Sequence, residues 1–304
     1  MIALLNLQIT IFLLIGVGFL IKRKNMVGKE GQKNLNDLVI NVILPCNILK
    51  AFMVDFESSM AQEFLAVLLL SIATQVLFVI YGKIVFKKYP EGQRKCLQYG
   101  TICSNAGFLG NPIAEGVYGS YGLVLASIFL IPMRIMMWSE GLATFSGNKN
   151  MKDTMKKVCT HPCIVACVIG IVLMITGLRF PEPITKTIGY LGSCNTALSM
   201  CIIGMILEAI QWKELLDKTV LLYSFHRLIL LPTIILLCLY FLPVSSIVKG
   251  LIVLLSAMPA GATTSILASK YEMEPEFATK MVITSTLFSI PTICLWSVFL
   301  KTMI

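Results

Sequence analysis

The sequence predicts an all-α membrane protein, and three features of the chain support this class. Hydrophobic residues make up 57% of the 304 residues and charged residues 13%, against a charged share of about 25% in soluble domains. The apolar residues fall in ten stretches, each near the roughly 20 residues that a helix needs to cross the bilayer core. The basic residues lie mainly in every second connection between these stretches. We therefore expect the protein to lie in a lipid bilayer.

We interpret each stretch as one membrane helix. The first has no basic segment before it and carries its positive charges after it, so we interpret it as a retained helix rather than a signal peptide. In order, the predicted helices are Ala3–Ile21, Leu35–Val54, Phe64–Phe86, Cys96–Tyr118, Tyr121–Met137, Pro162–Leu178, Ile184–Ile210, Thr219–Leu242, Ile247–Ala268 and Phe277–Leu300.

The basic residues predict the orientation. Of the 25 Lys and Arg residues, eighteen lie at the connections on one side of the predicted helices and five at those on the other. The densest basic connections are 22–33, 83–95 and 149–157. The positive-inside rule then places them in the cytoplasm and both termini outside, in a multi-pass protein of the cytoplasmic (inner) membrane. The net charge of +9 is thus a topology signal, and we expect no nucleic-acid partner.

A basic linker at 149–158 divides the chain into a first half, 1–148, and a second half, 159–304. Each half holds five predicted helices. Because this number is odd, the second half enters the membrane from the opposite side, as in an inverted-topology repeat. Pro112 and Pro259 each lie in the fourth helix of their half, so the two irregularities correspond.

These two helices are interrupted where a proline lies among small polar residues, at 103–112 and at 256–265. In lipid, an opened helix is tolerated only where its freed backbone groups meet protein, water or a solute. A pair of interrupted helices in corresponding positions therefore points to a transport site. Amides after Pro112 and Pro259 suit a carboxylate, and carbonyls before the breaks suit a cation.

The polar side chains at the breaks are the candidate ligands of a solute. Asn105 and Asn111 are the first candidates for hydrogen bonds to it. Ser104, Thr263 and Thr264 follow, although their hydroxyls can equally bond to their own helix. We expect these five residues, with the two prolines, to form the substrate site.

Few charged side chains lie within the predicted helices, where each costs about 2.5–3.5 kcal/mol at the helix centre. Arg227 and Arg134 are candidates for attracting an anion, and we assign Arg227 to the substrate site. For Arg134 the alternative is a structural ion pair with Glu115. His226 titrates near neutral pH if its surroundings leave it unperturbed, and packing is its alternative role. We group Glu115, Arg134 and His226 as coupling or ion-pair residues.

Two other predicted helices are irregular at matching depths. Helix two contains Leu44-Pro45, and helix seven contains Gly189 and Gly192 before Cys194-Asn195-Thr196. A proline bends a helix, and small residues let a neighbouring helix approach closely.

The sequence lacks the motifs of common enzymes, including H-E-x-x-H and the phosphate-binding G-x-x-x-x-G-K-[ST]. We therefore expect that the protein has no enzyme activity, binds no cofactor and is not an ATP-driven pump. Cys159, Cys163 and Cys167 recur at helical spacing near His161. Cysteine is common in protein interiors, so we expect no metal site there.

Together these motifs resemble the auxin efflux carrier family, which includes bacterial malate-permease-like members. The resemblance covers nearly the whole chain and rests on Leu44-Pro45, on 104–112 followed by Tyr118-Gly119, and on 257–260 followed by Ala268. It implies ten transmembrane helices in two inverted five-helix repeats. Helices 1, 2, 6 and 7 would form a scaffold, and helices 3–5 and 8–10 a transport unit whose broken helices four and nine cross. Elevator-like displacement of this unit would carry the substrate.

The chain departs from that family at two points. It has Thr196 where helix seven often carries a proline, and it lacks the long hydrophilic loop of the plant hormone carriers, so auxin is not implied as the substrate. We expect a secondary transporter of a small organic anion, in the first place a carboxylate. Coupling to protons or sodium, the direction of transport and a homodimer through the scaffold helices stay open. The alternatives are a sodium-coupled carrier of the bile-acid type and a membrane sensor that does not transport.

Overall fold

The computed structural model describes residues 2–53, 58–146, 156, 159–208 and 217–303. In these residues the chain is helical and has no β-strand beyond one isolated bridge. Of the predicted linker 149–158, all but Lys156 lies outside the described residues. The helices are α1 (Ile2–Arg23), α2 (Lys29–Leu38), α3 (Leu44–Phe52), α4 (Ser58–Val85), α5 (Glu91–Ile102), α6 (Asn111–Met136), α7 (Leu142–Ser146), α8 (Pro162–Thr176), α9 (Glu182–Ser193), α10 (Asn195–Glu208), α11 (Lys218–Phe225), α12 (Leu231–Tyr240), α13 (Ser246–Ser256), α14 (Thr263–Lys270) and α15 (Pro275–Met303).

Six helical segments in the described part of the chain are long and apolar enough to cross a membrane, which confirms the predicted class. Two shorter apolar helices, Pro162–Thr176 and Ser246–Ser256, accompany them. The six segments are Lys29–Phe52, Met60–Val85, Ala106–Phe145, Glu182–Glu208, Lys218–Tyr240 and Pro275–Thr302.

Three prolines inside these segments follow a widened, π-helical turn. The turns cover Val39–Ile43, Ala106–Gly110 and His226–Leu230, and Pro45, Pro112 and Pro232 come two residues after them. Proline has no N–H, and its ring collides with the carbonyl four residues earlier. In each turn the residue before the proline bonds to the carbonyl five residues back, so the wider turn absorbs the defect without ending the helix.

This arrangement corrects the predicted position of the first break. Pro112 is the second residue of α6 and lies within continuous helix from Ala106 onward. The ladder instead opens at 103–105, directly after α5, where Cys103 adopts an extended backbone. Small polar residues there leave room for non-helical backbone. The amides exposed by the first break therefore precede Pro112 rather than follow it.

Glycines bring the helices of the first and second halves into close contact. A Cβ on Gly204 would lie 2.0 Å from the carbonyl oxygen of Ile15, and one on Gly18 would lie 2.0 Å from that of Cys201. A Cβ on Gly192 would lie 2.9 Å from Cα of Asn47. Predicted helices one and seven, and two and seven, thus pack backbone to backbone, which small residues allow. This confirms the close approach expected at the irregular part of helix seven.

Candidate functional site

The two helix interruptions are bonded to each other by their backbones. The amide of Asn105 donates to the carbonyl of Pro259 over 2.8 Å, and the amide of Gly261 donates to that of Cys103 over 2.8 Å. Ser104 and Ala260 therefore face each other as an isolated antiparallel bridge. Backbone groups that left the helical ladders at both breaks thus find partners in one another, as a low-dielectric interior demands.

Four helix ends converge at this bridge. α5 ends at Ile102 and α13 at Ser256, while helical backbone begins again at Ala106 and at Thr263. The first amides of a helix have no intrahelical acceptor and carry partial positive charge, and the last carbonyls carry partial negative charge. The breaks therefore offer a place for an anion and, separately, a place for a cation.

A cavity of about 320 Å³ lies against the two helix starts. One wall comes from the breaks and the end of α6, and the opposite wall comes from α2, the start of α3, the start of α8, and α10. Exposed Lys33 and Asp37 mark its mouth. The side chains and backbone that line it belong to Lys33, Asn36, Asp37, Ile40, Leu44, Ser104, Asn105, Gly107, Phe108, Met133, Arg134, Met137, His161, Cys163, Ile202, Ile203, Ile206, Gly261, Ala262, Thr263 and Ile266.

Arg134 supplies a positive charge inside this cavity. Its side chain is 5% exposed, and its Nη1 atom has no hydrogen-bond partner in the part of the chain that the structure describes. A Cβ on Gly107 would lie 3.8 Å from its Nη2 atom, so the guanidinium lies beside the first turn after the break. The guanidinium and the helix-start amides therefore present positive charge to the same space.

His161 adds no charge to the cavity at neutral pH. Burial, followed by the nearby Arg134 charge, lowers the pKa of this side chain to about 4. Its Nδ1 atom accepts a hydrogen bond from the amide of Cys163 over 3.3 Å. Arg134 is thus the buried ionised side chain of the cavity wall, while Lys33 and Asp37 remain at the mouth.

An apolar layer borders the cavity at Ile203, which lines this cavity and also a second cavity of about 10 Å³. The smaller space is about the size of one water probe, so no organic solute fits in it. Isoleucines of α1, α6, α10 and α15 make up most of its lining. Its lining residues are Ile11, Phe12, Ile15, Leu109, Ile113, Ile203, Thr286, Ser289, Ile290 and Ile293.

Comparison with known proteins identifies the family. The sequence model of a family described as membrane transport protein, an auxin efflux carrier-like family, matches residues 4–156 and 148–297. The chain belongs to this membrane transport family. It is 25% identical over 305 residues to an uncharacterised transporter of Methanocaldococcus jannaschii, covering 96% of this chain and 97% of that protein.

Two further relatives of this transporter carry similarly general names. It is 26% identical over 301 residues to an uncharacterised transporter of Methanothermobacter thermautotrophicus, covering 96% of this chain and 97% of that protein. It is 22% identical over 296 residues to the uncharacterised transporter YfdV of Escherichia coli, covering 92% of each chain. The relatives are named as transporters, which agrees with the expectation that the chain is not an enzyme.

Four of the predicted site residues of this transporter line the large cavity: Ser104, Asn105, Thr263 and Arg134. The Ser104 hydroxyl contacts Sδ of Met133 over 3.4 Å. The remaining predicted residues lie outside the cavity lining, and they are Asn111, Pro112, Pro259, Thr264, Arg227, Glu115 and His226.

Asn111 and Thr264 are buried behind the cavity wall. Asn111 is 0% exposed, and neither its amide nitrogen nor its oxygen has a partner among the described residues. The Thr264 hydroxyl is likewise buried and unpartnered there. Buried polar groups are usually hydrogen-bonded, so both are available to a water, an ion or a polar group of a solute.

The alternative of an ion pair between Arg134 and Glu115 is not observed. Glu115 instead accepts a hydrogen bond from Nδ2 of Asn47 over 3.1 Å, which ties the helix after the break to α3. Among the described residues no salt bridge joins Glu115 to Arg134. His226 is hydrogen-bonded through Nδ1 to the hydroxyl of Tyr81.

Sequence reasoning missed the polar face of α15. The Ser285 hydroxyl accepts a hydrogen bond from the Ala260 amide over 3.3 Å and so supports the second break from behind. Thr284, Thr286 and Ser289 of the same helix are also buried. The sequence did carry a signal for this face: four hydroxyl residues occur within six positions of an apolar stretch.

Proposed function

We propose that this transporter is a secondary carrier that moves a small organic anion, in the first place a carboxylate, by elevator-like alternating access. The observation that carries the proposal is the placement of Arg134. Its buried guanidinium has one nitrogen, Nη1, without a partner among the described residues, and it lies beside Gly107 in the first turn after the break. A buried charge without a counter-ion is costly, and a bound carboxylate would supply that counter-ion.

Each part of a carboxylate has a donor in this proposal. Arg134 contributes charge-assisted hydrogen bonds, which are shorter and stronger than neutral ones. The first amides of the helix after Asn105, which have no intrahelical acceptor, hold the second oxygen, and the Asn105, Ser104 and Thr263 side chains complete the polar wall. The opposite wall is apolar at Ile202 and Ile206, which suits the carbon skeleton of the anion.

We propose ten membrane helices in two inverted repeats, 1–148 and 159–304, joined by the linker 149–158. The segment Ala106–Phe145 has 40 residues, about twice the length that crosses a bilayer. Gly119 has a left-handed backbone with φ of 70° and divides that segment in two. With α1 and the two shorter apolar helices, the count reaches ten. The family match in two segments that meet at the linker also supports two halves.

The elevator mechanism is supported by how the cavity is built. Its walls come from predicted helices 2, 6 and 7 on one side and 4, 5 and 9 on the other, which are the proposed scaffold and transport unit. Lys33 and His161 adjoin the basic connections, so the cavity opens toward the side that we assign to the cytoplasm. The isoleucine layer closes the other side. A displacement of the transport unit across this layer would expose the breaks to the outside.

We propose further roles for the predicted residues outside the cavity lining. Asn111 and Thr264 offer polar groups to a water or to the solute behind the breaks, and Pro112 and Pro259 maintain the irregular backbone. Glu115, tied to Asn47, and His226, tied to Tyr81, are candidates for coupling between the helices that they connect. In this scheme both termini lie on the outer side of the cytoplasmic membrane.

Ligand binding and uptake test the proposal. A thermal-shift screen of the purified protein against carboxylates, bile salts and amino acids identifies the ligand class, because a ligand that binds the folded state raises the melting temperature. Uptake of the best ligand into proteoliposomes follows. We expect a carboxylate to bind and to enter; preferential binding of bile salts with sodium supports the bile-acid type, and binding without uptake supports a sensor.

A further inference from the structure

A hydrogen bond ties the proposed scaffold to the proposed transport unit. Nδ2 of Asn47 in α3 donates to Oε2 of Glu115 in α6 over 3.1 Å. Among the described residues no other hydrogen bond joins the two units. Asn47 is buried, with 1% exposure, so water competes little for its amide. A displacement of the transport unit along the scaffold therefore has to break this bond.

Asn111 lies one helical turn before Glu115 on the same face of α6. The backbone is helical through both positions, and residues four apart in a helix lie one above the other. Asn111 is 0% exposed, and neither its amide nitrogen nor its oxygen has a partner among the described residues. This face of α6 thus presents two groups that can bond to Asn47, one that does so and one that lacks a partner.

The proposed direction of movement brings Asn111 toward Asn47. The two positions on α6 are about 6 Å apart along the helix axis, at 1.5 Å per residue. In the proposed topology both α3 and α6 run outward, and the cavity opens toward the cytoplasm. The turn of α3 before Asn47 contains the apolar Leu44, which offers Asn111 no hydrogen bond. An outward step of the transport unit moves Glu115 past Asn47 and Asn111 up to it.

We infer that Asn47 is a fixed hydrogen-bonding post on the scaffold that holds Glu115 in the state of this structure and Asn111 after the transport unit has moved outward by about one helical turn. The inference rests on the proposed elevator displacement and adds to it the length of the step and the residues that hold each end. Packed interfaces switch between discrete arrangements, of which a shift by one turn is a known kind. The exchange also leaves Asn47 with a partner at both ends, which avoids the cost of an unpaired buried amide.

Opposite changes in the populations of the two states test the inference. Glu115→Met removes the partner of the present state, and Asn111→Leu removes that of the displaced state. The probe is Ile11→Cys in a variant without the native cysteines, because Ile11 is 5% exposed and lines the small cavity in the isoleucine layer. Its labelling by a thiol reagent in detergent reports the state in which this layer opens. We expect the labelling rate to rise roughly tenfold or more with Glu115→Met and to fall roughly two- to tenfold with Asn111→Leu.

Two controls separate the exchange of partners from a general loosening of the helices. Glu115→Gln keeps an oxygen acceptor at the same place and should label at a rate close to that of the parent protein. In an Asn47→Leu background the post is absent, so Glu115→Met and Asn111→Leu should no longer change the rate. Melting temperatures on the same preparations show that each variant is folded.

Labelling that changes in the same direction with both substitutions, or changes that persist in the Asn47→Leu background, would overturn the inference. If an apolar variant does not fold, cross-linking decides the question with Glu115 intact. A short bifunctional thiol reagent should join Asn47→Cys to Asn111→Cys but not to Ile113→Cys, on the opposite side of α6, and the reverse result would overturn the inference. Failure of the proposed function is distinguishable, because it appears as absent carboxylate binding and uptake, whereas labelling and cross-linking need no ligand.

Discussion

Arg134→Gln is the substitution that most clearly separates substrate binding from structural support. Glutamine keeps most of the length and can still donate a hydrogen bond, but it removes the charge next to Gly107. A hydrogen bond to a charged group contributes about 1.5–3 kcal/mol. Loss of that amount weakens binding roughly 10- to 150-fold, at 1.4 kcal/mol for each factor of ten. We therefore expect the Kd for the best carboxylate of the screen to rise by about that factor.

The same substitution should have little effect on stability. Breaking a buried ion pair costs about 3–5 kcal/mol because the remaining charge is left buried. No described carboxylate pairs with Arg134, and its Nη1 atom is already unpartnered. Removal of the charge should leave the melting temperature without ligand unchanged or raise it.

Isothermal titration and thermal melting on one preparation measure both quantities. Lys95→Gln is the control, because Lys95 lies on the same basic side but outside the cavity lining and pairs with the exposed Glu91 at 2.9 Å. It should leave both Kd and melting temperature unchanged. An Arg134→Gln protein that binds the carboxylate normally and melts much lower would refute the assignment of Arg134 to the site.

Other substitutions test the breaks, the helix packing and the orientation. Asn111→Ala should reduce uptake without lowering the melting temperature, because its amide has no described partner to lose. Pro259→Leu should also reduce uptake, because leucine lets the helix ladder close across the break. Wild-type uptake rates in both variants would exclude the breaks as the path of the solute. Gly192→Ala should destabilise the protein by about 1–3 kcal/mol through overpacking against Asn47, measured by thermal melting, whereas Gly189→Ala, with open space at its Cβ, should not. A single cysteine placed at Lys152 in a variant without the native cysteines should resist an impermeant reagent in intact cells, and ready labelling would reverse the assigned orientation.

The sequence predicted the class because the class depends on composition, and a meeting of the two broken helices was expected from the family resemblance. Ser104 and Ala260 lie in the segments that small polar residues marked, and the bridge between them satisfies the opened ladders. The predicted position of the break in helix four was wrong. Pro112 was the conspicuous residue, yet a π-helical turn accommodates it, and the ladder opens earlier, at Cys103.

Which charged residue reaches the cavity could not be predicted from one sequence. Arg134 and Arg227 both lie in apolar helices, and from the sequence we assigned Arg227 to the substrate site. The difference depends on helix rotation and tertiary packing: Arg134 lies beside Gly107 and lines the cavity, whereas Arg227 is buried over the ring of Phe78. Residues of the opposite wall, such as Ile202, carry no chemical signal, and only the fold brings them to the site.

Counterflow in proteoliposomes tests the central claim most directly. Vesicles are loaded with a high concentration of the unlabelled carboxylate selected by the screen and diluted, without ATP, into medium that contains a trace of the labelled compound. A site that alternates between the two sides returns loaded with label, so the account predicts transient accumulation of label above its external concentration. Arg134→Gln should reduce this accumulation. Saturable binding of the carboxylate with no accumulation in the vesicles would contradict transport and leave a membrane sensor.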